Sequence, residues 1–210
     1  MLQFENVVKK FAKVRAVDEL SFEIRKGEIF ALLGPNGAGK TTGVRMIMQI
    51  MEPDSGSITF DPSIMKGGKV DRSKLGYLPE ERGLYQDAPI MKTLIYLSTL
   101  RGSDPAEAEK KASEWLDRFG ILDRQADKIS TLSKGNQQKV QFIASILHEP
   151  DFVVLDEPFS GFDPINQERI SDCIRELRES GMTILLSAHQ MQLVERIADR
   201  ILLINNGREL

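Results

Sequence analysis

Cysteine is nearly absent from the chain: Cys173 stands alone among 210 residues, so no disulfide can close within it. That usage fits a reducing compartment. Long hydrophobic runs are missing too. No apolar stretch approaches the ~20 residues that a bilayer span requires, and Met1 to Lys10 holds no hydrophobic signal region. Neither sign of charge dominates, with 28 Lys and Arg against 31 Asp and Glu and a net charge of −3, so nothing points to a general nucleic-acid-binding surface, while a local basic patch stays open. Internal repeats and low-complexity tracts are also lacking. What remains is an ordinary globular composition, 41% hydrophobic and 28% charged. A chain of this length suits one domain with a real core, burying roughly 70% of its unfolded surface.

The most informative stretch is Gly34-Pro35-Asn36-Gly37-Ala38-Gly39-Lys40-Thr41-Thr42. An apolar run, Ile29 to Leu33, precedes it and a helix-like run, Val44 to Met51, follows. Strand, glycine-rich loop and helix in that order fit G-x-x-x-x-G-K-[ST]. Glycines at 34, 37 and 39 let backbone N–H groups curl into a concave nest at a helix N-terminus, where a polyphosphate can sit. The helix end adds a partial charge of roughly +0.5. Lys40 adds a full charge on a flexible stem for the β- and γ-phosphates, and Thr41 offers a hydroxyl to Mg²⁺. Nucleoside triphosphate binding is the expectation.

Elsewhere the chain alternates. Leu2, Phe4 and Val7 suggest a strand that bends, and Leu20 to Ile24 a half-buried strand. Gly56 to Phe60 and Lys74 to Leu78 read as short strands. From about residue 85 to residue 150 no strand pattern occurs. Ile90 to Leu100 suggests a helix, and Asp104-Pro105-Ala106-Glu107 a helix start with Asp104 as N-cap and Glu107 placed to reach back. Ala108, Ala112, Trp115, Leu116 and Phe119 line one face of that helix; Val140, Ile143, Ala144 and Leu147 mark another. Strands resume at Phe152 to Leu155, Thr183 to Leu186 and Arg200 to Ile204, separated by a helix from Asp163-Pro164 and one marked by Met191, Val194 and Ile197. This predicts an α/β fold with a mostly parallel sheet covered on both faces. Ligands of such sheets sit beyond the carboxyl ends of the strands.

Two further elements carry chemistry. Phe152-Val153-Val154-Leu155-Asp156-Glu157-Pro158 is an apolar strand ending in two acids. Asp156 can serve Mg²⁺ directly or through water, and Glu157, pointing elsewhere, can orient or polarise an attacking water. Leu132-Ser133-Lys134-Gly135-Asn136-Gln137-Gln138-Lys139 opens a helix. From physics alone it is equally a second anion-binding helix start or simply a well-capped helix.

In this order, the motifs resemble those of the ATP-binding-cassette (ABC) ATPases, over nearly the whole chain. The resemblance implies a P-loop NTPase core with an N-terminal antiparallel β subdomain, spanning 1–84 and 151–210, and an inserted α-helical subdomain at 85–150. It implies ATP and Mg²⁺ as ligands, held by Phe11 on adenine, Val17, Asn36, Gly37, Ala38, Gly39, Lys40, Thr41 and Thr42. Thr41, Glu80 and Asp156 would serve the metal, and Glu157, His189 and Glu80 the hydrolysis. Ser133, Gly135 and Asp163 would act in trans, on the ATP of a second cassette in a head-to-tail homodimer or heterodimer. Phe11 as a buried strand residue and Asp163 as a plain helix cap are the alternative readings. Glu80 stands where the family usually has Gln, Lys134 and Asn136 where it has Gly and Gln, and Phe162 where it has Leu. Gly76 to Tyr85 resembles the ABC-2-type exporter ATPases of the sodium-export and drug-resistance groups. Those members extend well beyond the last strand, which implies a further C-terminal region. The implied setting is peripheral, on the cytoplasmic face of the inner membrane, with integral-membrane permease partners and no nucleic acid. A soluble ABC ATPase acting on nucleic acid or in translation is the alternative; its long or zinc-binding insertions are missing here.

Overall fold

The computed structural model describes residues 1–12, 14–81 and 83–210. An antiparallel hairpin opens the chain, β1 (Leu2–Phe11) and β2 (Val14–Ile24). The bend expected in β1 is a bulge. Its register with β2 shifts between Phe4 and Val7, and Asn6 takes a left-handed φ of 46°, which Asn tolerates better than most residues. The extra residue turns both Phe4 and Val7 inward although their spacing breaks the two-residue period.

Next come β3 (Ile29–Leu33) and, through the glycine loop, α1 (Lys40–Ile47). This helix starts ahead of the apolar run, because Lys40, Thr41 and Thr42 complete its first turn without an apolar signature, and it stops short of Met51. Strand β4 (Ser55–Phe60) pairs antiparallel with β1, giving a three-stranded sheet in the order β2-β1-β4. A small hairpin, β5 (Met65–Lys66) and β6 (Lys69–Val70), precedes β7 (Leu75–Leu78). Its strands are 2 residues each, too short to leave a period in the sequence.

Three helices follow: α2 (Ile90–Leu100), α3 (Pro105–Arg118) and α4 (Lys134–Ile146). Asp104 caps α3, accepting from the backbone N–H of Ala106 at 2.9 Å and of Glu107 at 3.1 Å. Glu107 thus contributes its backbone to the cap. The chain then runs through β8 (Phe152–Asp156), α5 (Pro164–Glu179), β9 (Thr183–Ala188), α6 (Met191–Val194), β10 (Arg200–Asn205) and β11 (Arg208–Glu209). Helix α6 is a single turn that does not extend to Ile197, whose N–H bonds the Val194 carbonyl at 3.1 Å in a tighter turn.

The main sheet has the order β11-β10-β3-β9-β8-β7. All its pairs are parallel except β10 with β11. Alternation sorts each strand between two cores. Ile29, Ala31, Leu33, Val153, Leu155, Ile184 and Leu186 face α2 to α5. Phe30, Leu32, Phe152, Val154 and Leu185 face α1 and the three-stranded sheet. Both faces are covered, as a parallel sheet requires. Leu94 of α2, Leu116 of α3 with Phe119 just past its end, and Phe142 of α4 share the first core with Val153 and Leu155. Each such large side chain, fully buried, contributes about 1.5–3 kcal/mol.

Candidate functional site

Strand order builds the site. With β3, β9, β8 and β7 adjacent and parallel, their carboxyl ends form a row. Along it lie the glycine loop after Leu33, His189 after Ala188, Asp156 and Glu157, and Glu80 after Leu78. Ala16, Asn36, Gly37, Ala38, Gly39, Lys40, Thr41, Thr42, Glu80 and Glu157 enclose a cleft of about 370 Å³. The sequence places these chemistries at strand ends, and the topology brings them to one cleft.

The loop holds its shape through close backbone approach. A Cβ on Gly34 would lie 2.1 Å from the Ile204 carbonyl oxygen. Gly39 has φ +105°, and a Cβ there would lie 2.1 Å from the Ala16 carbonyl oxygen. Gly39 is also the N-cap of α1 and supplies no side chain to close the helix start. The first N–H groups of a helix have no partner within it, so this end presents donors and a partial positive charge to the cleft. The turn at Asn206-Gly207 braces the loop: Gly207 accepts from the Asp18 N–H at 2.9 Å and donates to the Ala38 carbonyl at 2.9 Å. The sequence shows this pair as a turn but carries no sign of its role beneath the loop.

Lys40 is buried and its ammonium donates to the carbonyls of Gly34 at 2.7 Å and Pro35 at 3.2 Å. The same nitrogen lies 3.8 Å from Glu157 Oε1. The other Glu157 oxygen sits 2.9 Å from His189 Nδ1. Glu157 has a left-handed φ of 52°, a strained conformation for a side-chain-bearing residue, at a cost of order 1 kcal/mol. Its N–H is tied to the Ser187 carbonyl at 2.8 Å, which fixes the turn. The carboxylate is thereby held between Lys40 and a half-exposed histidine, at the rim of the cleft.

Asp156 is wholly buried, and among the described residues neither of its carboxylate oxygens, nor Ser187 Oγ beside it, has a hydrogen-bond partner. Burial pushes its carboxyl above the usual aspartate range, and Glu80 and Glu157 push the same way, against the opposing pull of Ser187 and Lys40. A buried, unpartnered carboxylate is costly unless something binds it. A divalent cation meets that need. Among the described residues no cluster of three or more His, Cys, Asp or Glu could hold a metal unaided. Mg²⁺ does not ask for one, since it is commonly bound through one or two carboxylates and substrate phosphates. Asp156 and the Thr41 hydroxyl fit it, with Glu80 on the same cleft wall.

The remaining expected residues lie elsewhere. Phe11 is exposed at the tip of β1 and does not line the cleft; its exposure rules out the buried-strand reading. Val17 is corrected: its side chain is fully buried in the core beneath the three-stranded sheet, and the neighbouring Ala16 forms the cleft wall. Two-residue alternation along β2 puts one of the pair inward and the other outward. Ser133 is the N-cap of α4 and accepts from the Asn136 N–H at 3.3 Å. A Cβ on Gly135 would meet the Gly161 carbonyl oxygen at 3.6 Å, so the start of α4 lies beside the loop that leads to Asp163. Asp163 caps α5, accepting from Asn166 N at 2.9 Å and Nδ2 at 2.7 Å, and these bonds hold its carboxyl below the usual range. Ser133, Gly135 and Asp163 form a second group, apart from the residues that line the cleft. Arg82, within the stretch Gly76 to Tyr85, lies outside the described residues.

Fold and cleft define a P-loop nucleotide-binding ATPase with a mostly parallel sheet and an antiparallel side sheet. The ABC transporter family model matches residues 17–160. An uncharacterized ABC transporter ATP-binding protein of Methanocaldococcus jannaschii is 45% identical over 99% of this chain and 75% of its own length. The linearmycin resistance ATP-binding protein of Bacillus subtilis is 38% identical over 99% of this chain and 67% of its own. Among solved structures, the ATP-binding subunit of an ABC transporter superposes with a TM-score of 0.89 at 29% identity, covering 100% of this chain and 88% of that one. The chain belongs to the ABC transporter family and is an ATP-binding cassette of it.

Proposed function

We propose that the chain is the ATP-hydrolysing subunit of an exporter, working as a head-to-tail pair of cassettes that closes on two ATP. The observation that carries this is the division of the site. Lys40, Thr41, Glu80 and Glu157 line one cleft, with His189 bonded to Glu157 and Asp156 buried next to it, while Ser133, Gly135 and Asp163 form a group outside that lining. In this reading the open N-terminus of α1 and Lys40 hold the phosphates. Lys40 exchanges its bonds to the Gly34 and Pro35 carbonyls for phosphate oxygens, at little net cost because those acceptors are uncharged. Asp156 and Thr41 hold Mg²⁺, which supplies charge neutralisation at the transferring phosphoryl group. Glu157 orients the attacking water and takes its proton. His189, fixed by Glu157 through Nδ1, turns Nε2 toward the γ-phosphate. Ser133 and Gly135 of one copy complete the site of the other.

Export is favoured by relatives named for linearmycin resistance and Nod factor export. The permease side is proposed at the groove between α2, α4 and the chain after β7. It measures about 290 Å³ and includes Pro79, Leu84, Leu97 and Leu100, with Tyr85 and Tyr96 exposed on the same helical region. The helical subdomain, 85–150, is the unit proposed to receive it.

The test is Glu157→Gln. Turnover should fall by roughly 10²–10⁴-fold with ATP binding kept, and size-exclusion chromatography in Mg·ATP should show a dimer. A variant that stays monomeric and hydrolyses ATP as the parent does would overturn the reading.

A further inference from the structure

Helix α4 runs antiparallel to β7 and is gripped along its length. His148, just past its end, places Nε2 3.2 Å from the Leu75 carbonyl. Next along the strand, Gly76 admits the helix backbone so closely that a Cβ would lie 2.3 Å from the Ser145 carbonyl oxygen. One turn earlier on the same helical face is Gln141, buried at 4% exposure. Its Nε2 donates to the Pro79 carbonyl at 3.0 Å and the Glu81 carbonyl at 3.1 Å. Because both partners are carbonyl oxygens, the orientation of the amide is fixed: only the NH₂ can serve them. Its Oε1 is buried and has no partner among the described residues. These two bonds bracket Glu80 on either side, and Glu80 reaches the nucleotide cleft.

We infer that Gln141 is a positioning residue for Glu80, and that it ties the reach of Glu80 into the cleft to the position of α4. The inference rests on the proposed role of Glu80 at the metal and water. Helix α4 begins at Ser133 and Gly135, so its N-terminus belongs to the second group of site residues while Gln141, about 12 Å along the axis, holds the first. A shift of α4 drags the carbonyls of Pro79 and Glu81, and with them the carboxylate between. The amide gives its N–H donors to the backbone carbonyls on both sides of Glu80, a hold that an apolar side chain of the same length, such as Met, cannot provide.

The experiment is a double-mutant cycle on the purified protein, reading kcat, KM for ATP and the Mg²⁺ concentration for half-maximal turnover. Gln141→Met keeps the length and removes the donor. It should lower kcat about tenfold and raise the Mg²⁺ requirement several-fold, with KM changed less than twofold. In a Glu80→Ala background, adding Gln141→Met should change kcat less than twofold, since the group it positions is gone. If Gln141→Met does not yield folded protein, Gln141→Asn, with the amide on a shorter stem, enters the same cycle. Equal losses in both backgrounds, or parental kinetics for the Gln141 variant alone, overturn the inference while leaving the site reading intact. A silent Glu80→Ala overturns the role of Glu80 and the inference with it.

Discussion

Helices α1 and α4 each carry a glycine at or just inside their N-terminus, and they start differently. Helix α1 has Gly39 at its N-cap, no side chain to close its first N–H groups, and a buried lysine as its first residue. Helix α4 is capped by its own Ser133, and the residues of its first turn, Lys134 and Gly135, are exposed and half-buried. The first start sits in a cleft lined by two acids, Glu80 and Glu157, with a histidine bonded to the second. The second sits at the surface beside another capped helix start, that of α5 at Asp163. The same backbone device is therefore built once as a complete pocket and once as a partial one. A partial anion site gains function only when something brings an anion to it, and in the proposed pair a second cassette carrying ATP would do that.

Alanine at the two glycines tests the contrast most severely. Gly39→Ala forces a side chain into φ +105° and against the Ala16 carbonyl. It should abolish nucleotide binding and destabilise the fold by about 1–3 kcal/mol. Gly135→Ala meets no atom closer than 3.6 Å within the chain and improves helix propensity by up to about 1 kcal/mol. Its thermal stability and nucleotide binding should match or exceed the parent, with turnover reduced. Melting curves and titration with a fluorescent ATP analogue separate the two; equal damage from both would erase the distinction.

A smaller effect probes the acid under the first site. The Asp156 carboxyl has its pKa raised by burial, so the folded protein binds that proton more tightly than the unfolded chain. Its ionisation therefore costs stability as pH rises from the ordinary aspartate range through the raised value. Asp156→Asn, measured without Mg²⁺ and nucleotide, should raise the melting temperature by about 2–4 °C at pH 8 and by less at pH 4.5, while turnover is lost. A gain that grows on acidification would contradict the assigned cause.

Much of this was legible in the residues, and the failures have physical reasons. Glycine, lysine and threonine spacing marked the α1 site because each residue type is required by the backbone or the phosphates. The strands β3, β8 and β9 were plain because burial on both faces leaves continuous apolar runs. Val17 came with the resemblance rather than from the alternation of β2, which turns its side chain into the core and leaves Ala16 at the cleft. The hairpin of β5 and β6 is too short for a period, and α6 ends early because the chain must turn into β10. Gln141 left no signal: a glutamine on an amphipathic helix resembles any polar surface residue until its two carbonyl partners are seen.

The central claim, that each working site is made from two chains, is tested most directly by mixing variants. Lys40→Ala removes the cleft's cation and leaves the Ser133 group intact. Gly135→Asp puts a negative charge at the Ser133 group and leaves the cleft intact. Each alone should be inactive, yet an equimolar mixture should recover phosphate release, because a mixed pair contains one site with neither substitution. A mixture as inactive as its parts, or a Gly135→Asp variant that turns over normally by itself, would contradict the account.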